Sequence, residues 1–232
     1  MSRLTRAIRH ILRPPPPSLG PKAEIIDQFH RLYYDSQAAN KTWRVTYWLG
    51  IQTLKCPLDL WIYQEIIFAS RPDVIIETGT YSGGSAYFLA TMCDLVGHGR
   101  IVSIDIEHRK GRPEHGRIQY LLGSSTTQDT VQRVKQGIGP KDSVMVILDS
   151  DHRAAHVRDE LKTYAPLVTK GQYLIVEDTN VNGHPVFHHH GPGPMEALLE
   201  FLEGDQDFVI DEEKEKFLLT FNPRGYLRKV RP

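Results

Sequence analysis

Cysteine is scarce in this 232-residue chain. Cys56 and Cys93 are too few for a disulfide scaffold and are not at metal-ligand spacing, so both are expected as free structural thiols in a reducing cytoplasm. No apolar run is long enough for a membrane helix, which excludes an integral membrane protein. Net charge is missing too: 28 Lys plus Arg offset 28 Asp plus Glu, so no overall basic field is available to hold nucleic acid. The dinucleotide fingerprint G-x-G-x-x-G is also absent. What remains is ordinary for a globular protein, 40% hydrophobic and 24% charged, and the length suits one α/β domain with an N-terminal extension.

The one biased segment is the start. Arg3, Arg6, Arg9 and Arg13 alternate with Leu4, Ile8, Ile11 and Leu12 before Pro14 to Pro17, a basic amphipathic helix closed by a stiff linker. The arginines interrupt any signal-peptide core. Contact of this arm with an anionic membrane is the secondary reading; an arm packed on a partner, or free, is the primary one. Residues 1–22 are assigned to arm and linker, 23–70 to a helical cap anchored by Trp43, Trp48 and Trp61, and 71–232 to the main domain.

From Asp73 onward short apolar segments alternate with amphipathic ones, as in a sheet covered on both faces. Expected strands are Val74 to Glu77, Ile101 to Asp105, Ile118 to Leu122, Val144 to Asp149 and Tyr173 to Glu177, each nearly all apolar like buried parallel strands. A helix after Gly191 to Pro194, then strands Phe208 to Asp211 and Phe217 to Phe221 joined by a charged turn, predict an antiparallel C-terminal hairpin. The fold expected is a Rossmann-like α/β sheet, mostly parallel and seven-stranded.

The first strand runs into Glu77-Thr78-Gly79-Thr80-Tyr81-Ser82-Gly83-Gly84-Ser85 and then a helix, so the backbone turns sharply and approaches a ligand beside free helical N–H groups. A carboxylate at Glu77 repels phosphate but suits the sulfonium and ammonium of S-adenosylmethionine. Asp105, at the next strand end, suits both ribose hydroxyls of a nucleoside. The cofactor contacts expected are Glu77, Gly79, Thr80, Ser85 and Asp105, with Ser124 and Asp149 beside them.

Two later strands end in Asp149-Ser150-Asp151-His152 and Glu177-Asp178-Thr179-Asn180. In a parallel sheet both tips face the ligand edge, so Asp149, Glu177 and Asp178 converge. Their mutual repulsion is relieved by a hard divalent cation, Mg2+ by default. His152, three residues past Asp149, is the candidate base. Asp151 is a rival ligand for Asp149. The histidines His184, His188, His189 and His190 suggest zinc less well than a substrate lid, since neighbours in a Gly/Pro-rich loop cannot all face one ion.

The run from Trp48 to Arg228 resembles the cephalosporin hydroxylase and rhamnosyl O-methyltransferase family, through IIETGTYSGGSAYFLA at 75–90, ILDSDH at 147–152, YLIVEDT at 173–179, GHPV at 183–186 and GPGPMEAL at 191–198. The layout is also similar to catechol and macrolide-sugar O-methyltransferases. The resemblance implies a class I methyltransferase using S-adenosylmethionine and magnesium on a hydroxyl of a small or glycosylated acceptor, in a homo-oligomer. It implies metal ligation by Asp149, Glu177 and Asp178, with the first two 28 positions apart, and proton removal by His152, where the catechol enzymes have lysine. A nucleotide-dependent hydroxylase and a non-catalytic cofactor-binding scaffold are the alternatives; titration with NADH against S-adenosylmethionine separates the first, and magnesium dependence the second.

Overall fold

The computed structural model describes residues 20–35 and 42–231. The basic arm falls outside these residues. A helix α1 (Lys22–Tyr34) leads to a 3-10 turn (Thr42–Val45) and a small antiparallel pair, β1 (Tyr47–Trp48) and β2 (Ile51–Gln52). Helix α2 (Pro57–Ser70) begins on proline, whose missing N–H costs nothing in a first turn. The alternating region follows: β3 (Val74–Thr78), α3 (Gly84–Val96), β4 (Arg100–Asp105), β5 (Ile118–Leu122), α4 (Gln128–Gln136), β6 (Val144–Leu148), α5 (Ala154–Tyr164), β7 (Tyr173–Val176), α6 (Pro194–Gly204), β8 (Phe208–Ile210) and β9 (Tyr226–Lys229).

Seven strands form one sheet in the order β5-β4-β3-β6-β7-β9-β8. The first five are parallel, while β9 is antiparallel to both β7 and β8. Alternate side chains of the buried strands feed two cores, which is why these strands carry no polar face. Val74, Ile76, Val144 and Val146 pack with Val157, Leu161 and Tyr164 of α5 and Leu198 of α6. Ile75, Met145, Ile147 and Ile175 pack with Ile62, Tyr63 and Ile66 of α2 and Leu89 of α3. A third cluster, with Tyr34, Phe221 and Val186 at its centre and Trp43 against it, seats the end of α1 over the strand tips.

Two expectations need correction. The hairpin partner of β8 is Tyr226–Lys229, and Phe217 to Phe221 is irregular. Leu218 has φ +70°, which breaks an extended run, and the Phe221 amide goes to the buried Asp59 Oδ2 at 2.8 Å instead of to a neighbouring strand. Leu219 and Phe221 are apolar because they fill the third cluster. Trp43 and Trp48 do pack inward, Trp48 edge-on to Phe88, but Trp61 is 59% exposed and its indole N–H goes to Glu65 one turn on along the same helix.

Candidate active site

At the C-terminal tips of the parallel strands lies a cavity of about 840 Å³ that reaches from Gly79, Asp105 and Ser124 at one end to Asp149, His152 and Asp178 at the other. Strand order makes this the natural binding edge: between β3 and β6 the direction of chain progression reverses and opens a crevice.

At the first end, Gly79 has φ +87°, and a Cβ there would lie 1.7 Å from the Asp149 carbonyl oxygen. The loop therefore lies directly against the β6 tip, an approach only glycine allows. Glu77 is fully buried. Its Oε2 accepts from Ser103 Oγ at 2.6 Å, whereas Oε1 is buried without a hydrogen-bond partner. Burial raises its pKa, with Lys55 and Ser103 pulling the other way. Such an orphaned oxygen fits a cationic ligand group. Thr80 is bonded to Ser103 (2.6 Å) and holds the loop, and Ser85 faces the small recess next to Lys55 and Asp149. Asp105 accepts from the amides of Tyr81 (2.7 Å) and Glu107 (2.8 Å) and from Arg112 Nη2 (2.9 Å). Beside it Ile106, 71% exposed, presents apolar surface to the cavity.

At the other end, one donor atom each from Asp149, His152 and Asp178 lie within 4.8 Å of one another, a set able to hold a metal ion. Among the described residues this group does not include the loop histidines: His184 Nε2 bonds Glu196 (2.9 Å) and His190 Nδ1 bonds the Gly191 carbonyl (3.1 Å). His152 Nε2 sits 3.3 Å from both Asp149 Oδ1 and Asp178 Oδ2. Burial disfavours its imidazolium, but Asp178, Asp149 and Glu177 outweigh burial and raise its pKa to about 9. Asp178 takes φ +53°, and its amide donates to Asn222 Oδ1 at 3.1 Å, which turns the carboxylate into the cluster. Asp151 lines the cavity but is ion-paired to Arg153, whose hydrogen bonds draw its pKa down to about 2.

Glu177 stands apart from that group. It is buried, and its Oε1 receives Tyr63 Oη at 2.7 Å and Lys55 Nζ at 2.5 Å; Lys55 is also ion-paired to Asp149 Oδ2. Sequence reasoning missed Lys55 and Tyr63. The run Leu54-Lys55-Cys56-Pro57 carries no motif, and a lysine there is unremarkable until the packing of β2 against the glycine loop brings it to the strand tips. A Cβ on Gly84 would lie 2.2 Å from the Gln52 carbonyl oxygen, so this approach too depends on a glycine.

Residues 40–230 match the family model described as Rhamnosyl O-methyltransferase/CmcI. The chain belongs to this family. A rhamnosyl O-methyltransferase of Mycobacterium leprae (strain TN) is 37% identical over 216 residues, covering 89% of this chain and 91% of that protein. One of Mycobacterium tuberculosis (strain ATCC 25618 / H37Rv) is also 37% identical, covering 89% and 86%. Among solved structures, an apo form of CmcI aligns with TM-score 0.64 at 22% identity over 82% of this chain and 78% of that one. An Mg–SAM form of CmcI aligns with TM-score 0.62 at 21% identity over 81% and 78%. These two support the methyltransferase fold, and the mycobacterial relatives make the chain a member of a family of O-methyltransferases.

Proposed function

We propose that the protein transfers the methyl group of S-adenosylmethionine to a hydroxyl oxygen of a glycosylated or other natural-product acceptor, with Mg2+ as the metal. The observation that carries this reading is one continuous cavity with a nucleoside-type seat at Gly79, Asp105 and Ser124 and a metal-capable cluster at Asp149, His152 and Asp178. The named relatives, rhamnosyl O-methyltransferases, support the sugar acceptor.

Both groups fit the residues. The unpartnered Glu77 Oε1 suits the ammonium of the donor's amino-acid end, Gly79 admits its close approach, and Asp105 suits the ribose diol, with Thr80, Ser85 and Ser124 completing the seat. Asp149 and Asp178 would hold the ion, backed by Glu177, whose Oε1 is bonded to Lys55 and Tyr63. A divalent ion there supplies Lewis acidity that lowers the pKa of an acceptor hydroxyl. His152 removes the proton. A divalent ion held there would offset the carboxylate field that favours its imidazolium and would leave the neutral ring able to accept that proton. Tyr34, Trp43 and Phe187 line the cavity and would give an acceptor ring an aromatic wall that limits its position.

A cytoplasmic homo-oligomer without nucleic-acid partners is part of the same reading. The described residues contain no helix long and apolar enough to cross a membrane. Incubation with methyl-labelled S-adenosylmethionine and rhamnoside acceptors tests the whole. Label is expected in the acceptor, lost on chelation and restored by Mg2+. Full transfer in the presence of chelator, or none to any glycoside or other natural-product hydroxyl, would overturn it.

A further inference from the structure

Lys55 raises a question that the reaction leaves open. Its ammonium, on a side chain only 4% exposed, touches Asp149 and Glu177, two of the carboxylates assigned above to the divalent ion. A buried cation is retained only where its neighbours offset the loss of water, and here the neighbours are the acid cluster itself. Each contact falls on one oxygen. Lys55 holds Asp149 by Oδ2, while Oδ1 faces His152. On Glu177, Lys55 and Tyr63 share Oε1. The lysine therefore covers the inner side of the cluster, and the opposite side faces the cavity. Its main chain is fixed as well, since the Gln52 to Lys55 segment is pressed against Gly84 and α2 starts two residues later.

We infer that Lys55 is a resident monocation of the metal centre, a positioning residue that orients Asp149 and Glu177 and weakens the centre's grip on the divalent ion. The inference rests on the proposed function above, because it needs the ion to bind at these carboxylates. Charge accounting supports it. Four carboxylates act on the Lys55 charge, Asp149 and Glu177 by direct contact and Glu77 and Asp178 through space. Lys55, a dication and a methyl donor of single net positive charge together balance them. Without the lysine the loaded centre would keep a negative charge and bind the dication more tightly, which favours retention over exchange. A residue serving only to pack the core would act in the opposite direction, because its loss would loosen the ligands.

The test is the affinity of the full-length protein for Mn2+, read from the electron paramagnetic resonance signal of the free ion, in wild type, K55M and Y63F. Lys55→Met keeps the length of the side chain and removes its charge. Mn2+ is expected to bind about tenfold or more tightly to K55M, the Coulombic effect of deleting a unit charge a few ångströms from the ion. Tyr63→Phe removes a neutral donor from the same Glu177 oxygen and is expected to leave Mn2+ binding no tighter. Thermal melts cover a folding defect: K55M should gain more from saturating Mg2+ than wild type does, and a K55M chain unfolded without the ion should fold with it. Equal or weaker binding by K55M, equal tightening by Y63F, or a K55M chain that the ion does not rescue would each overturn the inference. Where wild type binds Mn2+ normally, such a result leaves the proposed function standing; uptake by neither protein removes both.

Discussion

At the β3–β4 end of the cleft Asp105 is already satisfied, whereas at the β6–β7 end the acidic groups are in conflict. Asp105 accepts two amides and Arg112. Asp149 and Asp178 share one histidine between them, and Lys55 compensates only from behind. On the proposed reading, an uncharged ribose asks for pre-set geometry, which the bonds that fix Asp105 would supply, and a cation asks for stored negative potential, which the buried carboxylates would supply at a cost in stability that ion binding would offset.

Breaking the charged end should have the largest effect. Asp149→Asn keeps the shape but removes the charge common to His152, Lys55 and the ion, and turnover with saturating donor is expected to fall about 10³-fold, several kcal/mol of transition-state stabilisation. Gly79→Ala attacks the contact between the two ends. A methyl group 1.7 Å from the Asp149 carbonyl in a left-handed conformation should cost roughly 3 kcal/mol of stability and abolish donor binding, measurable by denaturant melts and calorimetry. His152→Ala should lower turnover about 10²-fold while donor affinity changes little, which separates proton removal from cofactor binding. A parallel loss of donor affinity would erase the distinction between the two ends.

The smallest effect sharpens the comparison from outside, at the cap. His30 is buried on α1, where Asn180 Nδ2 donates to its Nε2 at 3.0 Å, and burial lowers its pKa to about 4 from the ordinary 6.5, with Asp27 and Asp35 opposing. The unfolded chain therefore binds the proton first. The contribution of His30 is complete above pH 6.5 and declines as the pH falls toward 4, by roughly 2 kcal/mol. In urea melts at pH 7 and pH 4.5, wild type should lose that much more stability than His30→Gln. An equal loss in both would mean the cap does not depend on a neutral imidazole.

Much of the sheet could be read directly because buried parallel strands are short apolar runs with acidic ends, and the tips carrying Glu77, Asp105, Asp149 and Glu177 lie where that pattern puts them. The ending was read less well. Phe217 to Phe221 alternates like a strand, but the alternation serves a side-chain cluster and a carboxylate-held amide, so periodicity alone misassigned it. At the site, Asp149 and Asp178 come together with His152, whereas Glu177, expected beside them as a third ligand, is bonded to Lys55 and Tyr63. Lys55 and Tyr63 had no local signal, since their roles exist only through contacts about a hundred residues distant along the chain. Asp105 was legible as an acid at a strand end, yet its partner Arg112 lies in an irregular loop whose path no periodicity describes.

The central claim is that the β6 and β7 tips hold a divalent ion beside the methyl donor. Anomalous diffraction from crystals grown with Mn2+ and S-adenosylhomocysteine tests it most directly. A single strong peak within coordination distance of Asp149 and Asp178, facing the sulfur of the bound nucleoside, is the predicted result. A nucleoside bound with no peak there, or a peak held only by the histidines of the 184–190 loop, would contradict it.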